Sequence, residues 1–517
     1  MAQSSLLWLP LAVLLSLPPA GCGVDDRETV TGDPVSGARA ALTSTGGNSY
    51  LVSFTGGSIP ASAARLVAAA GGTIAARYTS VGAVLARSDS ATFGTKLRAS
   101  ADVEAVGAIT AAQSRIEPVK AGPRPRPPSH TPPAAGGDPL SFRQWDMDQI
   151  RAPQARAVSS GRKSVLVGVI DSGIDVTHPD LVGQVDAAAS ASCVGGVPDS
   201  ARAAWASDGI GHGTHVAGVI AGLKNGVGIV GVAPGVRLAA VKVAVDDPSD
   251  PNFGLVFPDA FVCALDWAIA HHFDLVNASL TVDPFTAPFD DVFCADEPDR
   301  AAIVTIVRRA VREADRKNVA VIASSGNFFT DLDAPAASTP KRDCRLLPVQ
   351  LPHVIGVSAV NVDRRLSFYS DYGFAAIDLA GPGGDSLVAD ARVPDTAASG
   401  QVLSSIPAGS LFFQAAADYD GQVRDCSITP CATYAYLQGV SQAVPHVTGV
   451  AALILGREGK LDPEALLARL RASATPLPCP RGAYDPGMTG QPATCKGSPV
   501  DSNFYGAGEI DALAALR

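Results

Sequence analysis

The sequence predicts a large α/β domain, with a mainly parallel sheet covered by helices on both faces, preceded by a small α+β unit. Three observations lead there. Beyond residue 165, short apolar runs of strand character alternate with helix-period segments, the pattern of repeated strand-helix-strand units. Residues 48–117 instead read as the string β-α-β-β-α-β. Between the two, residues 118–140 are rich in proline and include Gly136-Gly137, so they lack the N–H donors that regular structure needs and form a linker. With 517 residues, 47% hydrophobic and 17% charged, the chain has enough apolar material for at least one large core.

In the first unit, residues 50–54 have strand character, 61–70 helix, 73–78 and 81–87 strand, 91–101 helix and 103–109 strand. That order describes a split, ferredoxin-like arrangement. In the second unit the expected elements are 165–171, 214–221, 237–243, 258–271, 275–280, 301–316, 319–324 and 354–360, with an apolar helix over 443–453. Strands buried on both faces read as nearly unbroken apolar runs, and Val165-Leu166-Val167-Gly168-Val169-Ile170 is such a run.

The net charge of -10 leaves no basic footprint, which excludes nucleic acid as the expected partner. Residues 6–17 form an apolar run too short to span a bilayer but long enough for the core of an export signal, so residues 1–22 are read as a signal peptide and 23–47 as a small, polar tether. Pro19-Ala20-Gly21-Cys22 resembles a bacterial lipoprotein cleavage box, which implies a lipid anchor on Cys22; the alternative is an ordinary signal with a chance cysteine. The expected location is secreted or anchored to the cell envelope. Eight cysteines remain beyond Cys22, an even number that suits disulfides in an oxidising compartment. Proximity pairs Cys426 with Cys431 and Cys479 with Cys495, and no CxxC spacing calls for zinc.

Three segments carry the chemistry. Asp171 ends an apolar strand, His212 lies between Gly211 and Gly213 just before a helix, and Ser441 precedes the apolar helix over 443–453. A serine hydroxyl is a weak nucleophile, so it needs a base in reach, and the base needs a carboxylate to hold its tautomer. The order Asp, His, Ser along the chain is that of subtilisin. With Ala323-Ser324-Ser325-Gly326-Asn327 and Tyr505-Gly506-Ala507-Gly508-Glu509-Ile510-Asp511, these segments resemble the motifs of the subtilisin-like serine peptidases.

The resemblance implies that Asp171 orients His212, that His212 is the general base and then acid, and that Ser441 is the nucleophile. Asn327 is then the side-chain donor of the oxyanion hole. Ser279, Leu280, Thr281, Ser325 and Gly326 fall on the substrate-lining segments, although Thr281 and Val282 replace the usual glycines. Asp180 with Leu223, Asn225, Val227 and Ile229 matches the family's calcium loop and implies a structural calcium ion; no cofactor is needed for the reaction. The 48–117 unit resembles the family's inhibitory propeptide, which makes 141–517 the catalytic domain. The function implied is an exported serine endopeptidase, made as a proenzyme, acting on proteins or peptides.

Several features leave alternatives. His215, three residues after His212, is read as structural, since no HExxH arrangement supports a metal pair. Val440 and Gln442 stand where the family commonly has Thr and Met, which admits an impaired, surface-bound binding protein. An esterase elbow G-x-S-x-G is not formed, because Ala443 occupies its last position. The run Asp290, Asp291, Asp296, Glu297 and Asp299 is read as a solvated acidic loop, a preference for basic substrates being the alternative.

Overall fold

The computed structural model describes residues 48–109, 114–116, 137–247, 250–282, 298–333, 345–388, 390, 397–410, 421–488 and 490–517. The expected signal, tether and Cys22, most of the proline-rich linker, and Cys294 and Cys344 lie outside the described residues.

The small unit comes first. Strands β1 (Asn48–Phe54), β2 (Thr73–Tyr78), β3 (Ala83–Ser88) and β4 (Val103–Ala108) form an antiparallel sheet in the order β2-β3-β1-β4, with helices Ala63–Ala70 and Phe93–Arg98 in the intervening connections. Successive strand residues point to opposite faces. Val52, Phe54, Val84, Ala86 and Val106 therefore pack with Val67, Phe93 and Leu97 in a core of the unit's own. Leu51, Leu85 and Ala105 point the other way, into a core shared with the large unit. This second covered face explains why β3 is buried almost throughout.

The large unit is built on seven parallel strands. β6 (Leu166–Asp171), β7 (Ala191–Ser192), β8 (Arg237–Lys242), β11 (Leu275–Ala278), β12 (Ala320–Ser324), β13 (Val354–Val360) and β14 (Leu379–Pro382) lie in the order β14-β13-β12-β11-β6-β8-β7. Alternation again sorts the faces. Leu166 and Ile170 of β6 join the layer containing helix Pro258–Ala270 and helix Pro298–Arg316, and Val167 and Val169 join the layer containing helices His212–Ala221 and Val440–Glu458. Every residue of the His212 helix is buried, so it is a core helix. After β6 the chain builds one side of the sheet and then crosses to β11 on the other. The carboxyl ends of β6 and β11 thus flank a topological switch point, where open sheets place their ligands.

Two small antiparallel sheets were not legible in the local pattern. β15 (Val402–Ser405), β16 (Gln422–Asp425) and β17 (Ala432–Leu437) form one, and β5 (Ser114–Ile116), β9 (Ala244–Asp247) and β10 (Asp250–Val256) the other. Disulfides join Cys426 to Cys431 and Cys479 to Cys495, the two pairs expected from proximity, and Cys193 to Cys263 across 70 residues. Among the described residues no helix is long and apolar enough to cross a membrane.

Candidate active site

Asp171 is fully buried at the end of β6. Its Oδ1 accepts the Ser172 N–H at 2.7 Å and lies 2.8 Å from His212 Nδ1. A carboxylate can only accept, so Nδ1 carries the proton and Nε2 is left with a bare lone pair. That Nε2 is buried and has no partner among the described residues. The result is an imidazole held at Nδ1 with its Nε2 acceptor unused.

Local backbone chemistry brings the pair together. His212 is the first residue of its helix, behind Gly211 at φ 93°, a left-handed conformation that glycine adopts without strain. A Cβ on Gly213 would lie 2.1 Å from the Gly173 carbonyl and 3.1 Å from Asp171 Cβ, so only glycine lets the loop approach β6 this closely. Buried Asp208 ties the loop down. It accepts from Ser172 Oγ and Gly211 N at 2.8 Å each, and from Thr214 N and Oγ1 at 2.8 and 2.6 Å. Burial raises its pKa and these hydrogen bonds oppose the rise. His215 faces inward: its Nε2 lies 3.2 and 3.1 Å from the Val402 and Ala435 carbonyls, and burial pushes its pKa down to about 3. It joins β15 to β17 as a neutral side chain.

Ser441 is the second residue of the Val440–Glu458 helix, which packs against the His212 helix. Ser441 and Ser279 exchange hydrogen bonds: Ser441 Oγ donates to the Ser279 carbonyl at 3.0 Å, and Ser279 Oγ donates to the Ser441 carbonyl at 2.8 Å. The hydroxyl is therefore bonded to the segment after β11 and makes no hydrogen bond to His212 in this structure. Asn327 follows β12, and its Oδ1 accepts the Val440 N–H at 2.8 Å. That contact fixes the amide so that Nδ2 is its free donor. Neither Asn327 Nδ2 nor the Ser441 N–H meets an acceptor among the described residues.

The other expected contact residues are dispersed around this centre. Leu280 is buried after β11, and the backbone after Thr281 is pinned where Val282 N–H donates to the Leu347 carbonyl at 2.9 Å. Ser325 Oγ is occupied by the Asp371 carbonyl at 3.2 Å. Gly326 sits at φ 104°, where a Cβ would come within 2.2 Å of Asp371 Oδ2. Sequence reasoning missed one element. β10 pairs antiparallel with β5, Gly254, Leu255 and Val256 opposite Ile116, Arg115 and Ser114, so the strand just ahead of the linker is laid on an edge of the large unit.

The expected calcium loop folds over Asp180, and the donors present fit a cation. Asp180 is buried; its Oδ2 accepts the Ile229 N–H at 3.3 Å, while Oδ1 has no partner among the described residues. Burial raises its pKa to about 7. Asn225 Oδ1 accepts Val227 N–H at 2.9 Å, Asp138 accepts from Asn225 N and Gly226 N, and Asp425 from Gly228 N. The carbonyls of Leu223, Val227 and Ile229 are the other ligands expected from the sequence. Among the described residues there is no group of three or more His, Cys, Asp or Glu side chains that could hold a metal ion.

A model of the subtilase family, Peptidase_S8, matches residues 162–508. Subtilisin NAT from Bacillus subtilis subsp. natto is 27% identical over 333 residues, 64% of this chain and 66% of that relative, so just under two thirds of its length is spanned. Subtilisin from Bacillus pumilus is 29% identical over 333 residues, 64% of this chain and 92% of its own. In fold, the chain is similar to the epidermin leader peptide processing serine protease from Staphylococcus aureus, with a TM-score of 0.62 at 17% identity over 90% of this chain and 97% of that one. The strand order, the order of the three motifs and the family match agree, and the chain belongs to the subtilase family, the subtilisin-like serine peptidases.

Proposed function

We propose that the chain is a serine endopeptidase in which Asp171, His212 and Ser441 form the proton-passing unit. The observation that carries this is the buried 2.8 Å contact between Asp171 and His212 Nδ1, which leaves Nε2 bare on a helix packed against that of Ser441. Rotation about χ1 moves the Ser441 hydroxyl from the Ser279 carbonyl to His212. Oγ then attacks the scissile carbonyl carbon while its proton passes to Nε2, and Asp171 stabilises the imidazolium. The Ser441 N–H and Asn327 Nδ2 receive the oxyanion. His212 returns the proton to the leaving amine, an acyl-enzyme remains on Ser441, and water reverses the steps to release the acid.

Asn327→Ala is expected to lower kcat by about 10²–10³-fold with KM little changed, because this donor meets charge that exists only in the transition state. Hydrolysis of a chromogenic peptide by the two proteins measures it, and an unchanged kcat removes Asn327 from the oxyanion hole.

The N-terminal unit 48–117 is proposed as an inhibitory propeptide, joined by the 118–140 linker to the 141–517 catalytic domain. The strand laid along β10 supports this, since an extended peptide added to a sheet edge occupies the edge a substrate would use. Export through the 1–22 signal, lipid attachment at Cys22, and a secreted or envelope-anchored location complete the reading. Its second form, an impaired binding protein, draws on the Ser441 hydroxyl being bound to Ser279.

Calcium, held by Asp180 and the loop oxygens, would neutralise a buried carboxylate and brace residues 223–229. Calcium added back to chelator-treated protein is expected to raise the melting temperature by several degrees, as any ligand of the folded state alone does. No shift at millimolar calcium ends that part of the proposal.

A further inference from the structure

The Val440–Glu458 helix contains Pro445. Proline has no N–H, so the carbonyl four residues earlier, that of Ser441 itself, loses its helical partner. A nucleophile carried on a broken first turn needs other groups to hold it. Two side chains do so. Ser279 Oγ donates to the Ser441 carbonyl at 2.8 Å and is itself held by Asn277 Nδ2 at 2.9 Å, with Thr448 Oγ1 bonding Asn277 Oδ1 at 3.0 Å. On the other side, His446 Nδ1 lies 2.7 Å from the Gln442 carbonyl, the residue next to the nucleophile.

His446 has a second contact, and it reaches across 300 residues of sequence: Nε2 is 2.9 Å from Asp146 Oδ2, both side chains being wholly buried. Each ring nitrogen thus faces an oxygen. A neutral imidazole donates only once, so two donated protons imply an imidazolium opposite a carboxylate. Asp146 is well placed to hold it. It lies in the short helix Trp145–Gln149, fixed by Trp145 Nε1 donating to the Gln401 carbonyl at 2.9 Å and by Gln144 bonding both the N–H and the carbonyl of Val230. The other charged or titratable groups turned to this pair are His215 on the packed His212 helix, and Tyr436, Arg143 and Arg156 around Asp146. His215 is kept neutral chiefly by its own burial, with His212 and, after it, His446 adding to the effect.

We propose that His446, kept as an imidazolium by Asp146, is a positioning residue for Ser441: it clamps the turn that Pro445 leaves open and adds positive charge to the helix end that faces the oxyanion. Five residues separate it from Ser441, about 7.5 Å of helix rise, near enough to act in a dry interior. The proposal rests on Ser441 being the nucleophile, and one of its two readouts does not depend on activity.

That readout is nitrogen NMR of the full chain carrying Ser441→Ala and labelled histidine. A His446 ring with two bonded protons is expected, and Asp146→Asn on the same background should leave one. The amide still satisfies Nε2 as a donor, so the fold is retained. In the active chain Asp146→Asn is expected to lower kcat about tenfold with KM within a factor of about two, the loss of one charge-assisted contact. Asp146→Glu should recover part of it. A single ring proton in the parent chain overturns the proposal even if Asp146→Asn does not fold, and so does an unchanged kcat in a folded Asp146→Asn protein. Two ring protons in a chain that hydrolyses no peptide would instead overturn the peptidase reading and leave the ion pair standing.

Discussion

Replacing His212 by Ala is expected to cut kcat on the order of 10⁶-fold while the protein stays folded. The argument runs from the hydrogen bonds inward. Asp171 Oδ1 keeps the Ser172 N–H when the imidazole is gone, so the end of β6 is not left bare. The loop stays tied by Asp208, whose four contacts do not involve the ring. What disappears is the proposed base for the Ser441 proton, and a serine hydroxyl without a base is a poor nucleophile. Asp171→Asn should cost less, about 10⁴-fold, because the base is present but held in the wrong tautomer. Steady-state hydrolysis of a peptide, with circular dichroism to verify folding, checks both. Equal losses in the two variants would mean that Asp171 does more than orient the ring.

The second large effect concerns the small N-terminal unit and pH. Tyr78, at the end of β2, inserts into the large unit and donates from Oη to the Gly196 carbonyl at 2.6 Å. It covers Asp259, a wholly buried carboxyl at the start of helix Pro258–Ala270 whose Oδ1 has no partner among the described residues. Burial pushes the pKa of Asp259 up to about 6, from an ordinary value near 4. Departure of the N-terminal unit uncovers Asp259, so the joined state binds the extra proton. Its contribution is complete below about pH 4 and is lost as pH rises through about 6. A full return of Asp259 to the ordinary carboxylate range on separation would weaken the hold by at most about 100-fold between pH 4 and pH 8. Asp266 acts in the same direction, since burial raises its pKa while it accepts the Ser80 and Val81 N–H groups at 2.7 and 3.2 Å.

Asp259→Asn should therefore remove most of the pH dependence and tighten the hold at pH 8. The measurement is the dissociation rate of the N-terminal unit from a Ser441→Ala chain cut once in the linker, compared at pH 5 and pH 8. A rate that is equal at the two values, or faster at pH 5, contradicts the assignment. Other contacts across the same boundary, such as Arg309 donating to the Phe54 carbonyl at 2.8 Å and pairing with Glu104, add to the hold.

The parts of this site that could be read in the sequence are those set by short-range chemistry. A strand buried on both faces must be apolar along its length, so β6 stood out and its one acid, Asp171, stood out with it. Gly211 and Gly213 flank His212 in the sequence, and the structure shows the backbone at Gly213 passing close to Asp171. The small unit was legible because one face of each strand packs on its own two helices, which leaves period-two and helix-period signals intact. Contacts made only by distant segments were not legible. Tyr78 looks like any strand-end aromatic until Gly196 and Asp259, 118 and 181 residues away, are folded beneath it. Asp146 looks like a polar residue in a short helix, and nothing within its own turn points to His446. The edge of β10 carries no sequence mark because strand addition uses the main chain.

The most direct measurement is covalent capture of the nucleophile. A fluorophosphonate added to the purified, matured protein should label a single residue, Ser441, and the His212→Ala protein should label far more slowly or not at all. Labelling of some other serine, or equal rates in the two proteins, would contradict the assignment of the 171, 212 and 441 side chains as one catalytic unit.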